Sequence, residues 1–204
     1  MELSQRLARD LLKIKAVQID PNNYFTWTSG LKSPIYCDNR LTMSYPLIRN
    51  KISDAFVQLI EQMNEKPDVI AGCATAGIPH AAWLAEKLDL PMIYVRSKPK
   101  GHGKGNQIEG NFKPGQKVVV IEDLISTGGS SIESAQALKE SGADVLGVLA
   151  IFTYGLQKSE KNFADAGLTF QTITGFDLLI DALVIDEKIE NTEKQQLLAW
   201  RDAL

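Results

Sequence analysis

Cysteine is scarce in this chain: Cys37 and Cys73 are the two it has. Far apart and without a second pair, they build neither a disulfide framework nor a zinc ligand set. A reducing compartment suits such a composition, and the expected location is cytoplasmic. Long apolar runs are missing too. The longest, Val145 to Phe152, has 8 residues, against the roughly 20 that a membrane-spanning helix takes. The first residues are polar and soon carry Arg6, Arg9 and Asp10, unlike a secretory leader. Nor is there an excess of positive charge, since 22 Lys and Arg face 25 Asp and Glu for a net −3. A protein that lives on nucleic acid usually shows a basic excess or a basic face. Neither nucleic acid nor membrane is therefore an expected partner, and any bound anion must be met by a local cluster.

What is present is ordinary in bulk. Apolar residues make up 44% and charged residues 23%, as in a soluble globular chain. Leu7, Leu11, Leu12 and Ile14 recur at helical spacing behind Ser4, a candidate N-cap, and predict a helix over 4–17. Residues 25–40 have no clear period. A second helix is predicted over 44–63, with Pro46 tolerated in its first turn. Short apolar strands then alternate with helices. Strands are expected at 68–72, 92–95, 117–122, 145–153 and 168–172. Helices are expected at 78–88, 130–140 (closed by Gly142), 158–166, 176–183 and 192–204. A loop rich in glycine and lysine runs from 96 to about 112. Strands buried on both faces and separated by helices indicate βαβ units on a mainly parallel sheet. The fold class expected is α/β in one domain, 1–204. Its parts are an N-terminal subdomain (1–65), an α/β core (66–175) and C-terminal helices (176–204).

In open parallel sheets, ligands bind beyond the carboxyl ends of the strands, and three segments there are unusual. In VVVIEDLISTGGSS (118–131), apolar residues run into Glu122 and Asp123. Ser126, Thr127, Gly128, Gly129 and Ser130 then open a helix, where backbone N–H groups and the helix dipole favour an anion. Two carboxylates would repel a phosphate but would accept hydrogen bonds from sugar hydroxyls, so a pentose 5-phosphate satisfies both halves. No Gly-Lys-Ser/Thr follows and GxGxxG is absent, which excludes the common nucleotide loops. In DVIAGCATAGIPHAAWLA (68–85), Ala74, Thr75, Ala76 and Gly77 form a second small-residue loop before a helix. His80 on that helix reads as structural, and Cys73 as a small loop residue rather than a nucleophile. In YVRSKPKGHGKGNQIEG (94–110), Arg96, Lys98, Lys100, His102 and Lys104 alternate with glycines. That pattern suits a lid that closes over a polyphosphate and excludes water.

VVVIEDLISTGGSS resembles the phosphoribosyl diphosphate (PRPP) signature of type I phosphoribosyltransferases. The basic loop and SGLKSPIYCDNR (29–40) narrow the resemblance to the orotate phosphoribosyltransferase family, over essentially the whole chain. The resemblance implies a twisted, mainly parallel sheet flanked by helices, with a small N-terminal hood over the base. It implies that Glu122 and Asp123 bind the ribose hydroxyls, directly or through magnesium (Mg2+), and that Ser126 to Ser130 hold the 5-phosphate. Leu124 and Ile125 fall in the same signature, and Ser126 also stands where the family contacts orotate. Ala74 to Gly77 correspond to the pyrophosphate loop, and Ser29 to Asp38, with Tyr36, to the hood. Arg96, Lys98, Lys100 and His102 would belong to a lid (96–109) that acts on the partner subunit's site in a homodimer. Lys100 and His102 would stabilise the leaving pyrophosphate. No direct protein cage for the metal is implied. Mg2+ would be held mainly by PRPP and water, with Asp123 as the protein contact. Thr28, Ala76, Ser97 and Tyr154 replace three lysines and an arginine of the enterobacterial branch, which points to another branch of the family.

The implied reaction joins PRPP and orotate to give orotidine 5′-monophosphate and pyrophosphate, a step of pyrimidine (UMP) biosynthesis. Positive charge builds on the ribose ring as pyrophosphate leaves, so the lid's cations and the metal act on the leaving group while the 5-phosphate anchors the far end. No side-chain nucleophile is needed. A purine transferase on the same core is the nearest rival, and the hood sequence argues against it. A PRPP-fold regulator of nucleic acid would need a basic patch outside the lid, and the sequence has none.

Overall fold

The computed structural model describes residues 3–26, 30, 32–97 and 107–204. The N-terminal part begins with helix α1 (Leu3–Lys13) and four short strands: β1 (Val17–Ile19), β2 (Phe25–Thr26), β3 (Lys32–Ser33) and β4 (Ile35–Cys37). A 3-10 helix (Asn39–Ser44) and helix α2 (Pro46–Gln62) complete it. The alternating part comprises β5 (Val69–Cys73), α3 (Gly77–Leu88), β6 (Met92–Val95), β7 (Ile108–Glu109) and β8 (Lys117–Ile125). It continues with α4 (Gly129–Glu140), β9 (Asp144–Thr153), α5 (Gln157–Asp165) and β10 (Phe170–Gly175). Helices α6 (Phe176–Ile185) and α7 (Asn191–Asp202) close the chain.

The unbroken run Val118 to Ile121 can be a strand only if both its faces are covered, and they are. Val119 and Ile121 join Ile70, Leu149 and Ile151 in a core with Leu7, Leu11, Phe56, Leu84 and Leu179. That core is therefore built with α1, α2, α3 and α6. Val118 and Val120 face the other way, into a core with Val69, Ala71, Ala135, Leu138 and Phe163, built with α4 and α5. The sheet has 6 strands in the order β10-β9-β8-β5-β6-β7. All its pairings are parallel except β6 with β7 at the edge.

This order positions the site. From β5 the chain moves outward to β6 and β7, then returns to place β8 on the other side of β5. The direction of winding therefore reverses between β5 and β8, and a crevice opens beyond their carboxyl ends. The segment 74–77 leaves β5 there, and 126–130 leaves β8.

Several boundaries differ from the sequence expectation. Strand β8 runs to Ile125 rather than stopping at Glu122, because β9 keeps pairing with it through Glu122↔Ala150, Leu124↔Phe152 and Ile125↔Thr153. The acidic pair thus lies inside the strand's last turn of pleat, held by a ladder. Ser4 lies within α1, which already includes Leu3, so it is not the cap. The expected loop from 96 to 112 contains β7, whose Ile108 and Glu109 pair antiparallel with Val95 and Tyr94. The last strand is Phe170–Gly175 rather than 168–172, because Phe170 is the first residue in register with β9, opposite Val148. Residues 25–40 hold antiparallel pairs, β2 with β3 and β1 with β4, whose strands of 2 and 3 residues are too short to show a period.

Candidate active site at the switch point

Glu122 is 5% exposed. Its Oε1 accepts from the Asp123 N–H at 3.0 Å and its Oε2 from the Ser130 hydroxyl at 3.0 Å. Burial, and then the neighbouring Asp123 charge, push the Glu122 carboxyl up to about 8. Burial also raises Asp123. Two adjacent carboxyls in one largely dry place cannot both ionise cheaply, so the pair resists a double charge until a cation or a stronger donor set arrives. The Asp123 carbonyl accepts from Asn39 Nδ2 at 2.7 Å. Beside Asn39, Arg40 grips Asp38 through Nε at 2.6 Å and Nη2 at 2.9 Å, and this bond holds the Asp38 carboxyl below the usual range.

The loop after β8 is shaped by a glycine. Gly128 has φ of 84°, and a Cβ there would lie 2.5 Å from Phe163 Cε2. Only glycine suits both demands. Having no side chain, Gly128 at the cap leaves the first-turn N–H groups of α4 open to an anion. Asn162 Nδ2 donates to the Thr127 carbonyl at 2.9 Å and pins the loop to α5. Ser126 and Thr127 are half-buried, Gly129 and Ser130 exposed. The Ile125 side chain is fully buried in the α4–α5 core and Leu124 packs partly buried against the other core, so Ile125 can meet a ligand through its backbone alone.

The loop after β5 comes within touching distance of β8. A Cβ on Gly77 would lie 2.3 Å from the Ile121 carbonyl oxygen and 3.3 Å from the Glu122 Cα, so only glycine lets α3 start this close to the acidic pair. The Ala74–Thr75 peptide is cis. Ala74 N–H donates to the Val95 carbonyl at 2.9 Å, Thr75 is exposed, and Ala76 is half-buried. Glu122, Asp123, 74–77 and 126–130 are thus brought to one crevice.

Of the basic segment, Arg96 is described. Its N–H donates to the Gln107 carbonyl at 2.8 Å, Gln107 Nε2 returns a bond to the Arg96 carbonyl at 2.9 Å, and its guanidinium faces Glu109 at 3.5 Å. These bonds tie the segment's two stems together. Lys98, Lys100, His102 and Lys104 lie outside the described residues, as do Trp27, Thr28, Ser29 and Leu31 of the hood stretch. Tyr36 is 37% exposed and its ring lies 6.0 Å from Phe25. Tyr154 is buried, which pushes its phenol far above the ordinary value, with Cys37, Asp123 and Tyr36 adding to the effect. Burial also raises both thiols, Cys37 and Cys73, so neither offers a thiolate. His80 is 2% exposed and set behind the loop, edge-on to Trp83 at 5.4 Å. Sequence reading missed Asn39, Arg40 and Asn162. Asn39 and Arg40 close the SGLKSPIYCDNR stretch with no role read for either, and the two asparagines act on backbone carbonyls distant in sequence, which no spacing signals. Among the described residues no group of three or more His, Cys, Asp or Glu could hold a metal, and no helix is long and apolar enough to cross a membrane.

The segment 44–178 matches the phosphoribosyl transferase domain family. An Oceanobacillus iheyensis protein named orotate phosphoribosyltransferase is 60% identical over 202 residues, covering 99% of this chain and 100% of its own. The chain belongs to the orotate phosphoribosyltransferase family. It is a phosphoribosyltransferase with the type I fold. The crystal structure of orotate phosphoribosyltransferase from Aeropyrum pernix superposes with a TM-score of 0.77 at 30% identity, over 88% of this chain and 98% of that one. Leishmania donovani UMP synthase gives 0.79 at 27% identity over 97% of this chain, which spans 42% of that longer one.

Proposed function

We propose that the chain transfers the 5-phosphoribosyl group of PRPP to orotate, giving orotidine 5′-monophosphate and pyrophosphate. One observation carries this reading. A carboxyl pair, Glu122 buried and Asp123 half-buried, that can accept from hydroxyls sits just ahead of the uncapped, glycine-shaped start of α4 at Gly128, which can receive a phosphate. Those are the two ends of a pentose 5-phosphate. Orotate as the acceptor follows from the name of the relatives. In this reading Ser126 to Ser130 hold the 5-phosphate, Glu122 and Asp123 the ribose hydroxyls, and Ala74 to Gly77 the diphosphate. Binding of the remote 5-phosphate supplies energy that is spent at C1. As the diphosphate departs, Arg96, Lys98, Lys100 and His102 stabilise the charge it carries away, and a ring nitrogen of orotate attacks C1. No side-chain nucleophile takes part, in keeping with two thiols held protonated.

Glu122 and Asp123 are hard oxygen donors of the kind Mg2+ prefers, and two carboxylates without a third suit an ion that arrives with substrate phosphates and keeps its waters. Asp123 would hold it. When bound, Mg2+ neutralises charge on the departing diphosphate.

The homodimer belongs to the same proposal. Leu41, Met43, Tyr45 and Leu47 are 40%, 39%, 43% and 78% exposed, an apolar row that begins two residues from Asn39. A second copy would cover it and bring the partner's lid beside the crevice. The experiment is direct: purified protein with orotate, PRPP and Mg2+, followed by the loss of orotate's near-ultraviolet absorbance. Loss that stops on chelation supports the reading. PRPP consumption with adenine, xanthine or uracil instead of orotate moves the substrate, and no reaction with any base refutes the transferase reading.

A further inference from the structure

The crevice has a support that its own motif does not contain. Strand β5 stops pairing with β8 at Gly72↔Ile121, two residues short of Asp123. Beyond that point the Asp123 carbonyl is taken by Asn39, whose Nδ2 donates to it at 2.7 Å from 84 residues away. A carbonyl can only accept, so the amide nitrogen must face it. The turn that carries Asn39 is itself held in place. The Asn39 carbonyl accepts from the Thr42 hydroxyl at 2.6 Å, and the Asp38 carboxylate caps the same turn through the Arg40 N–H at 3.2 Å. Thr42 Oγ1 in turn lies 3.4 Å from His80 Nε2, on the helix that the 74–77 loop opens. A buried polar chain thus runs His80–Thr42–Asn39–Asp123, from α3 through the 3-10 helix to the acidic pair.

The amide is 1% exposed, and its Oδ1 has no partner among the described residues. An asparagine buried with its acceptor idle carries a desolvation cost that an apolar residue would avoid. Its donor end is what remains to account for it.

We infer that Asn39 is a positioning residue for the ribose-hydroxyl site: by holding the Asp123 carbonyl it fixes the peptide that aims the Asp123 carboxylate, so the hood sets the geometry with which the acidic pair reads the sugar. The inference rests on the reading of Glu122 and Asp123 as that site.

The test compares ribose 5-phosphate with 2-deoxyribose 5-phosphate, which shares the phosphate but lacks one hydroxyl. Calorimetric affinities on the full-length protein give a preference ratio, which a defect in overall folding or in the phosphate loop leaves unmoved. Wild type should prefer ribose 5-phosphate at least about tenfold, the worth of one hydrogen bond to a charged group. In Asn39→Leu, close in size but unable to donate, the ratio should fall at least about fivefold, while inorganic pyrophosphate affinity stays within about twofold. A wild type without preference overturns the sugar-site reading and the inference with it. A wild type with preference and an Asn39→Leu variant that keeps it overturns the inference alone. If Asn39→Leu yields no folded protein, Thr42→Val, which deletes the bond onto the Asn39 carbonyl, is measured instead. It should lower the same ratio by a smaller factor, and an unchanged ratio overturns the inference.

Discussion

Lowering the pH from 7 to 4 should expose the cost of His80. Its ring is buried with 2% exposure, and burial lowers its pKa from 6.5 to about 4. The geometry agrees. The Thr42 hydroxyl hydrogen is committed to the Asn39 carbonyl, so its oxygen must accept from His80 Nε2–H, and Nδ1 bears the lone pair with no partner among the described residues. A second proton on Nδ1 would be a buried, unpaired charge. Between pH 4 and 6.5 the unfolded chain therefore binds one proton more than the native one, and stability falls as pH falls. Over that window of about 2.5 pH units the loss is about 3 kcal/mol, a large part of the 5–15 kcal/mol of an ordinary domain.

The assay is urea unfolding of wild type and His80→Leu from pH 7.5 down to 4.5, read as the difference between them. Glu122 makes the difference necessary. Its folded pKa is raised to about 8, so it contributes stability fully present below its unfolded value of 4.5 and lost as pH rises toward 8. Between 4.5 and 6.5 the two groups oppose each other, and the wild-type curve should run nearly level. His80→Leu keeps the opposing slope of the Glu122–Asp123 pair, both of whose carboxyls burial raises, and should lose stability as pH rises through the same range. The gap between the proteins should shift in favour of the variant by nearly the full 3 kcal/mol, about that much, on going to pH 4.5. A gap independent of pH would mean that His80 titrates as it does in the unfolded chain, and the burial argument would be wrong.

Other consequences can be checked separately. Gly77→Ala places a methyl 2.3 Å from the Ile121 carbonyl oxygen, backbone against backbone; calorimetric melting should show a loss of about 1–3 kcal/mol, with a fall in turnover because the displaced segment is 74–77. An unchanged melting point would show that α3 can retreat freely. Leu47→Asp puts a charge on the most exposed residue of the apolar row, at 78%, and should move the protein from dimer to monomer in sedimentation; a wild type already monomeric would refute the dimer proposal. Lys100→Ala should lower turnover by about a hundredfold or more while ribose 5-phosphate affinity holds. Equal, small losses in both would take the lid out of the reaction.

How much of this site the sequence could disclose depended on where each residue's partner lies. Glu122 and Asp123 were legible because an apolar run ends on them abruptly, and 126–130 and 74–77 because small residues before a helix leave amides open. The lid's two stems were legible as a loop but not as β7, since a strand of 2 residues has no period. Asn39 stands at the end of the 29–40 stretch and Asn162 outside any motif, and neither one's role could be read, because their partners are carbonyls 84 and 35 residues away and any residue supplies a carbonyl. The electrostatics were hidden for a related reason. Read as letters, two acids beside two phosphate loops look like a site that repels its ligand. Burial resolves the conflict: it pushes both carboxyls up, Glu122 to about 8 and Asp123 above its ordinary value, so the pair resists carrying two charges until a cation is brought in. The acidic pair can therefore serve a sugar between two phosphates because the strand that carries it runs on to Ile125 and keeps it dry, a fact of the ladder with β9 rather than of the motif.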